Sequence, residues 1–276
     1  MIPRQRPRFA FPGPRSARTL LAIAACLLGH GHRAEAQDAI SDPAPSTPGV
    51  SGHHSSIVVG EDLQFEVKWG VVSAGTARMR IVSLEEFEGN PSYHVIANAS
   101  SNAVFDKIYP VRDHFESYMD EGDLRSRAFK KHLREGTFRR DQIVRKDHRA
   151  GKAHYHDGEV VDMAPGSYDV LSAFYAVRTL PLEKGKEFYL NSHTDKKNYP
   201  IKVTILGRER VEVPAGTFDC VVVEPTLRSG DFIKNEGSLK IWLTDDARRM
   251  PVQMKSRIPV GSVVVSLQSF QRPEAG

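Results

Sequence analysis

From Leu63 onward the chain alternates apolar and polar residues with a period of two, and that alternation limits the fold more than any other feature. Leu63, Phe65, Val67 and Trp69 are separated by Gln64, Glu66 and Lys68. Successive strand side chains point to opposite faces, so such a segment turns one face to a core and the other to water. Gly70 and Ser73-Ala74-Gly75 punctuate it before a second run from Thr76 to Val82, which predicts a first hairpin. Like runs occupy Tyr93 to Ala99, Phe115 to Met119, Arg127 to Leu133, Phe138 to Lys146, Glu187 to Ser192 and Ile201 to Leu206. Others cover Phe218 to Glu224, Leu239 to Leu243, Pro251 to Ile258 and Ser262 to Phe270. Gly, Asp, Asn or Pro separates most of them, which predicts about a dozen antiparallel strands.

One segment has helical spacing instead. Val170, Ala173, Phe174 and Val177 stand at i, i+3, i+4 and i+7, Ser167 or Asp169 can cap the start, and Pro181 ends it. Val170, Phe174 and Val177 make one apolar side, while Asp169, Ser172 and Arg178 lie elsewhere, so the helix is expected to lie against a sheet. The predicted fold class is mainly β: an antiparallel barrel or two curved sheets with one inserted α-helix over about residues 168–180. No Pro- or Gly-rich linker divides the stretch 57–272, which is expected to form a single β-rich domain.

The N-terminal part reads as an address. Residues 1–36 show a basic, Pro-rich start, an apolar stretch from Leu20 to Leu28, and Ala34-Glu35-Ala36 before Gln37. That is the order of a secretory signal peptide, with cleavage expected after Ala36. A competing reading takes Ile23-Ala24-Ala25-Cys26 as a lipobox, which would leave Cys26 acylated. Residues 37–56, with Pro43, Pro45, Pro48, Gly49 and Gly52, read as a flexible tether. No later stretch approaches ~18 uninterrupted apolar residues, so no transmembrane helix is expected. The formal charge of +4 is local to the leader: six of the 38 basic residues but one of the 34 acids precede Gln37, leaving 32 against 33. An exported chain so balanced is not expected to bind nucleic acid. With Cys26 in the leader, Cys220 is the one remaining thiol; its β-branched neighbours Val221, Val222 and Val223 predict an inert core residue.

Gly60-Glu61-Asp62-Leu63, Trp69-Gly70, Ser73-Ala74-Gly75-Thr76-Ala77, Tyr109 with Arg112-Asp113, and the stretch Asp169 to Arg178 stand in an order that resembles the secreted bacterial family known as domain of unknown function 3108. Pro214-Ala215-Gly216-Thr217-Phe218-Asp219-Cys220, Ile241-Trp242-Leu243-Thr244-Asp245-Asp246 and Arg249-Met250-Pro251-Val252 continue the likeness across Ile57 to Phe270. The resemblance implies an exported, mostly β protein of the cell envelope, in the periplasm or outer layer, and supplies no catalytic residues. The general look is also similar to curved-sheet carriers of lipoproteins, a likeness of architecture alone.

Reactive chemistry is sparsely signalled. His154 and His156 share a strand face, but a zinc site needs a third and usually a fourth ligand, and an edge-strand role is the expectation. Asp245 and Asp246 follow an apolar strand and suit a turn. No nucleophile elbow, phosphate loop or zinc-protease motif occurs, so no catalytic residue, metal or cofactor is expected. The basic stretch from Arg125 to Arg149 reads as the wet face of two strands, although it could also favour anionic envelope surfaces. Arg178 is expected to pair with Asp113 or Asp245 and tie the helix to the sheet. In a functional version, Arg112 and Arg178 grip an anionic head group. The leading expectation is a non-catalytic binding or carrier module for an apolar or amphiphilic envelope ligand, with lipid or another envelope component as partner. Phe65, Trp69, Phe174, Tyr175 and Trp242 are expected to line its cavity. An assembly factor acting through its surface and an unrecognised hydrolase are the alternatives.

Overall fold

The computed structural model describes residues 54–229, 232–233, 239–257 and 261–274; the leader, its cleavage point and Cys26 lie outside them. Among the described residues, fifteen strands and two short helices follow one another. They are β1 (Asp62–Trp69), β2 (Val72–Phe87), β3 (Asn90–Ser101), α1 (Ala103–Asp106), β4 (Arg112–Asp120), β5 (Ser126–Glu135), β6 (Phe138–Asp147), β7 (Lys152–Tyr155), β8 (Val160–Asp162) and α2 (Val170–Val177). The second part holds β9 (Glu187–Thr194), β10 (Lys197–Val213), β11 (Gly216–Ser229), β12 (Phe232–Ile233), β13 (Leu239–Thr244), β14 (Pro251–Arg257) and β15 (Ser262–Gln271). The fold is mainly β, as the alternation predicts, with a second helix that the sequence pattern did not announce.

The strands form one sheet in the order β8-β7-β6-β5-β4-β3-β2-β1-β15-β14-β13-β11-β10-β9, with β12 paired only to β11. Each neighbouring pair is antiparallel, and β1 joins the first meander to the second by pairing with β15. Bulges at Gln64/Phe65, Val67/Lys68 and Ile205/Gly207 bend the long strands. The sheet curls until its two ends face each other, and its inner face carries a core running from Leu63 and Phe65 through Phe115 to Val203, Val223 and Val265.

Helix α2 sits inside the curl. Asp169 caps it: its carboxylate accepts from Ser172 N–H at 2.9 Å, and Ser172 Oγ accepts from Asp169 N–H, a reciprocal capping box. Leu171 through Val177 are all buried, which corrects the expectation of a two-faced helix lying on a sheet. A helix enclosed by a curled sheet meets protein on every side, so its polar members must find partners within the core.

Candidate functional site

A cleft opens inside the curl between β1, β2, β3 and α2, with room for water-sized molecules over about 80 Å³. Phe65, Val67 and Trp69 supply the β1 wall, Val263 and Val265 that of β15, and Val170, Leu171 and Phe174 the roof from α2; Phe115 and Met254 complete it. The space exists because, Met79 apart, the facing strands carry little side chain there. Ala77 pairs with Ala99, Met79 with Ala97, and Gly75 with Ser101 across the β2–β3 ladder, and all six residues line the cleft. Gly75 is required by its neighbour, since a Cβ there would lie 2.1 Å from Ser100 O. Of the five aromatics named from the sequence, Phe65, Trp69 and Phe174 lie in this lining and Tyr175 and Trp242 do not; the small residues were not foreseen, and their available signal was Ala or Gly at alternate positions of two adjacent strands.

Helix α1 packs beside the cleft, against Trp69 of its lining. Asn102 caps it by accepting from Val104 N–H and Phe105 N–H, donates its own Nδ2–H to Ser73 O at 2.7 Å, and bonds Ala74 O through its backbone N–H. Phe105 lies buried and edge-on to Trp69, ring centroids 6.2 Å apart, while Trp69 and Val67 remain partly exposed. Arg112 lies here too, but its guanidinium donates to Asp106 at 2.7 Å, and that bond, with one from Ser101, draws the Asp106 carboxyl down to about 2.

Arg178 and Tyr175 lie away from the cleft. Arg178 is fully buried and pairs with Glu61, not with Asp113 or Asp245: Nη1 and Nη2 donate to the two carboxylate oxygens at 2.6 and 2.8 Å. Asp113 instead accepts from Arg134 N–H and Asp245 from Arg208, which corrects the expected partners but keeps the tie between helix and sheet. Nη2 also donates to Ser56 O and Arg248 O, and Arg272 reaches the same Glu61 at 2.6 Å. The guanidinium stands 5.1 Å from the Tyr175 ring centroid, and burial raises the Tyr175 phenol above its usual range. Trp242 donates its indole N–H to Glu209 on β10 at 2.8 Å and is not part of the cleft lining.

The interior of the β4–β8 half sets polar groups among its apolar core residues. Ser117 donates to Asp169 at 2.6 Å, Lys131 to Asp195 at 2.5 Å, and Tyr155 to His193 at 2.8 Å. Lys146 is buried with its ammonium lacking a hydrogen-bond partner, and burial pushes it down to about 8 despite Asp169 nearby. Lys131 and Lys146 therefore correct the reading of this basic stretch as wholly wetted; Arg140, opposite buried Leu133, shares their face of the sheet and reaches Asp195, while Arg139 and Arg145 are exposed. Asp246 forms a turn, accepting from Thr244 Oγ1 and Arg248 N–H. His154 and His156 are both exposed, and no cluster of three metal-ligating side chains occurs among the described residues. Cys220 is buried, and burial pushes its thiol up to about 12.

Comparison with known proteins follows the fold. The family model described as "Protein of unknown function (DUF3108)" matches residues 64–268. No curated protein matches the chain. A β-barrel-like protein of the unknown-function family DUF1849 from Brucella abortus aligns over 79% of this chain and 99% of its own, with 8% identity and a TM-score of 0.56. A candidate lipoprotein of Parabacteroides distasonis aligns over 82% of this chain and 100% of its own, with 10% identity and a TM-score of 0.36. The first likeness supports a barrel-like fold; the second is too loose to bear on it.

Proposed function

The chain belongs to the family described as protein of unknown function DUF3108, and from that membership we propose an exported, non-catalytic binding or carrier module of the cell envelope. Its cleft takes the apolar end of an amphiphilic ligand. The single observation that carries this is the apolar space under α2, lined by Phe65, Trp69, Ala77, Ala99 and Phe174. Its volume of about 80 Å³ is several times the ~10–15 Å³ that one water needs, and apolar lining disfavours filling by water. The lining holds no carboxylate and no histidine, so nothing in it can exchange a proton with a bound molecule near neutral pH. The secretory pattern of residues 1–36 supports an envelope location.

A fluorescent fatty acid, 11-(dansylamino)undecanoic acid, tests the proposal. It is expected to bind with blue-shifted emission, and Ala77→Phe, which fills the space, is expected to weaken binding roughly tenfold or more while the unfolding midpoint holds. Equal binding by wild type and Ala77→Phe would exclude the cleft as the site.

A further inference from the structure

We propose that the mouth of this cleft is a lipid-docking rim. The β1–β2 turn and the α1 segment seat Val71, Val72, Val104 and Ile108 in a bilayer surface, so that an acyl chain moves between bilayer and cleft without crossing water. The purpose rests on the binding reading above; the geometry rests on separate observations.

Val71 is 93% exposed, Val104 65%, and Val72 and Ile108 51% each. Among the described residues only five large apolar side chains are at least half exposed, and Val160 is the only one outside this end of the molecule. Single exposed valines are ordinary, but four exposed apolar side chains on two adjoining segments beside an apolar cleft are not. The two segments are held together: Asn102 bonds both Ser73 O and Ala74 O, and Phe105 stacks edge-on against Trp69. The tips therefore project as one unit beside the opening that Trp69 and Ser101 border. Charge agrees with an anionic membrane. Asp106, the only acid in 102–110, is neutralised by Arg112, which leaves exposed Lys107 between Val104 and Ile108 to meet lipid phosphates. Shallow apolar insertion with a cation at the headgroup level is one way a protein surface holds a bilayer interface.

Co-sedimentation with vesicles of phosphatidylethanolamine and phosphatidylglycerol tests this on the purified protein. Wild type is expected to partition onto vesicles, and the double variant Val71→Asp/Val104→Asp to lose roughly tenfold or more in partitioning. Both side chains face water, so the variant is expected to keep the wild-type unfolding midpoint and to bind the dansyl fatty acid from solution as wild type does. Absence of wild-type partitioning, or equal partitioning by the double variant, overturns the rim even where the fatty acid binds. Partitioning that the double variant loses, with no fatty-acid binding by either protein, supports the rim and removes the cleft reading.

Discussion

Arg178, Glu61 and Arg272 form a buried ion triad at the C-terminal end of α2, with Ser56 O and Arg248 O accepting from Nη2 of Arg178. Two cations around one carboxylate are tolerable there because the planar guanidinium presents paired donors in a fixed fork. Arg178→Ala removes one partner and leaves Glu61 buried beside Arg272 alone, a change expected to cost about 3–5 kcal/mol in denaturant unfolding. A loss below ~1 kcal/mol would contradict the assigned tie. Sequence reading foresaw that Arg178 needs a carboxylate, since an arginine among apolar residues is costly alone. It could not find Glu61, which stands ahead of β1 and meets α2 only through the closure of the sheet. Lys146 is the opposite case, an ammonium with no hydrogen-bond partner among the described residues. Its descent to about 8 means that the unfolded chain holds the proton more tightly from there up to the ordinary lysine range. Stability is therefore penalised in full below pH 8, and the penalty fades as pH rises through that window. Lys146→Met is expected to stabilise the fold by roughly 3 kcal/mol at pH 7, with the advantage shrinking toward pH 10. A constant or absent advantage would show that Lys146 has a partner in solution.

Among the elements, β2 and β3 have the tightest steric demand. Gly75 pairs with Ser101 where an added Cβ would strike Ser100 O, so Gly75→Ala must spread the two strands at the wall of the cleft. The expected loss is about 1–3 kcal/mol by chemical denaturation, together with weaker fatty-acid binding. An unaltered midpoint would mean that the strands separate freely at this point. The same pair shows what alternation reveals and what it hides. β1, β4, β5, β6, β13, β14 and β15 lie within a few residues of the runs read from sequence, most through alternation between core and water and β13 as an apolar run buried from Ile241 to Thr244. β10 runs on to Val213 through a bulge at Gly207, where a glycine that reads as an ending serves instead as a bend. α1 is a single turn, too short to show a 3.6 period, and Asn102 before Ala103-Val104-Phe105 was its one available sign. β7 and β8 are four and three residues long, and a strand so short has almost no alternation to detect.

For the whole molecule, curling leaves a seam. Among the described residues no ladder joins β8 to β9, and the closure rests on an isolated bridge between Tyr168 and Ser192 and on side chains. Lys131 meets Asp195, Lys196 meets Asp157, and Asn198 accepts from Ala164 N–H and donates to Asp162 O. At the centre Tyr155 Oη accepts from Lys196 N–H and lies 2.8 Å from His193 Nε2, while His193 Nδ1 lies 2.8 Å from Asn198 Oδ1. Those contacts are satisfied together when His193 is neutral, with Nδ1–H donating to Asn198 and Nε2 accepting from Tyr155. Protonating Nε2 would leave the Tyr155 hydroxyl hydrogen without its acceptor. Burial above all, with the charge of Lys146 nearby, pushes His193 down to about 4. The unfolded chain thus binds a proton from the ordinary histidine range downward while the folded chain does not. Stability falls with pH across that window, and the full loss, roughly 3 kcal/mol, is reached below pH 4. None of this was legible in the sequence, because His193 and Tyr155 come from opposite ends of the sheet and meet only once it has curled. His193→Gln is expected to flatten the decline of unfolding free energy between pH 7 and 4. Hydrogen exchange on wild type at pH 5 is expected to quicken first in β9 and β7, ahead of β1 and β2. Parallel declines in the two proteins, or uniform exchange across the sheet, would show that acid acts elsewhere and that the seam is no weaker than the ladders it joins.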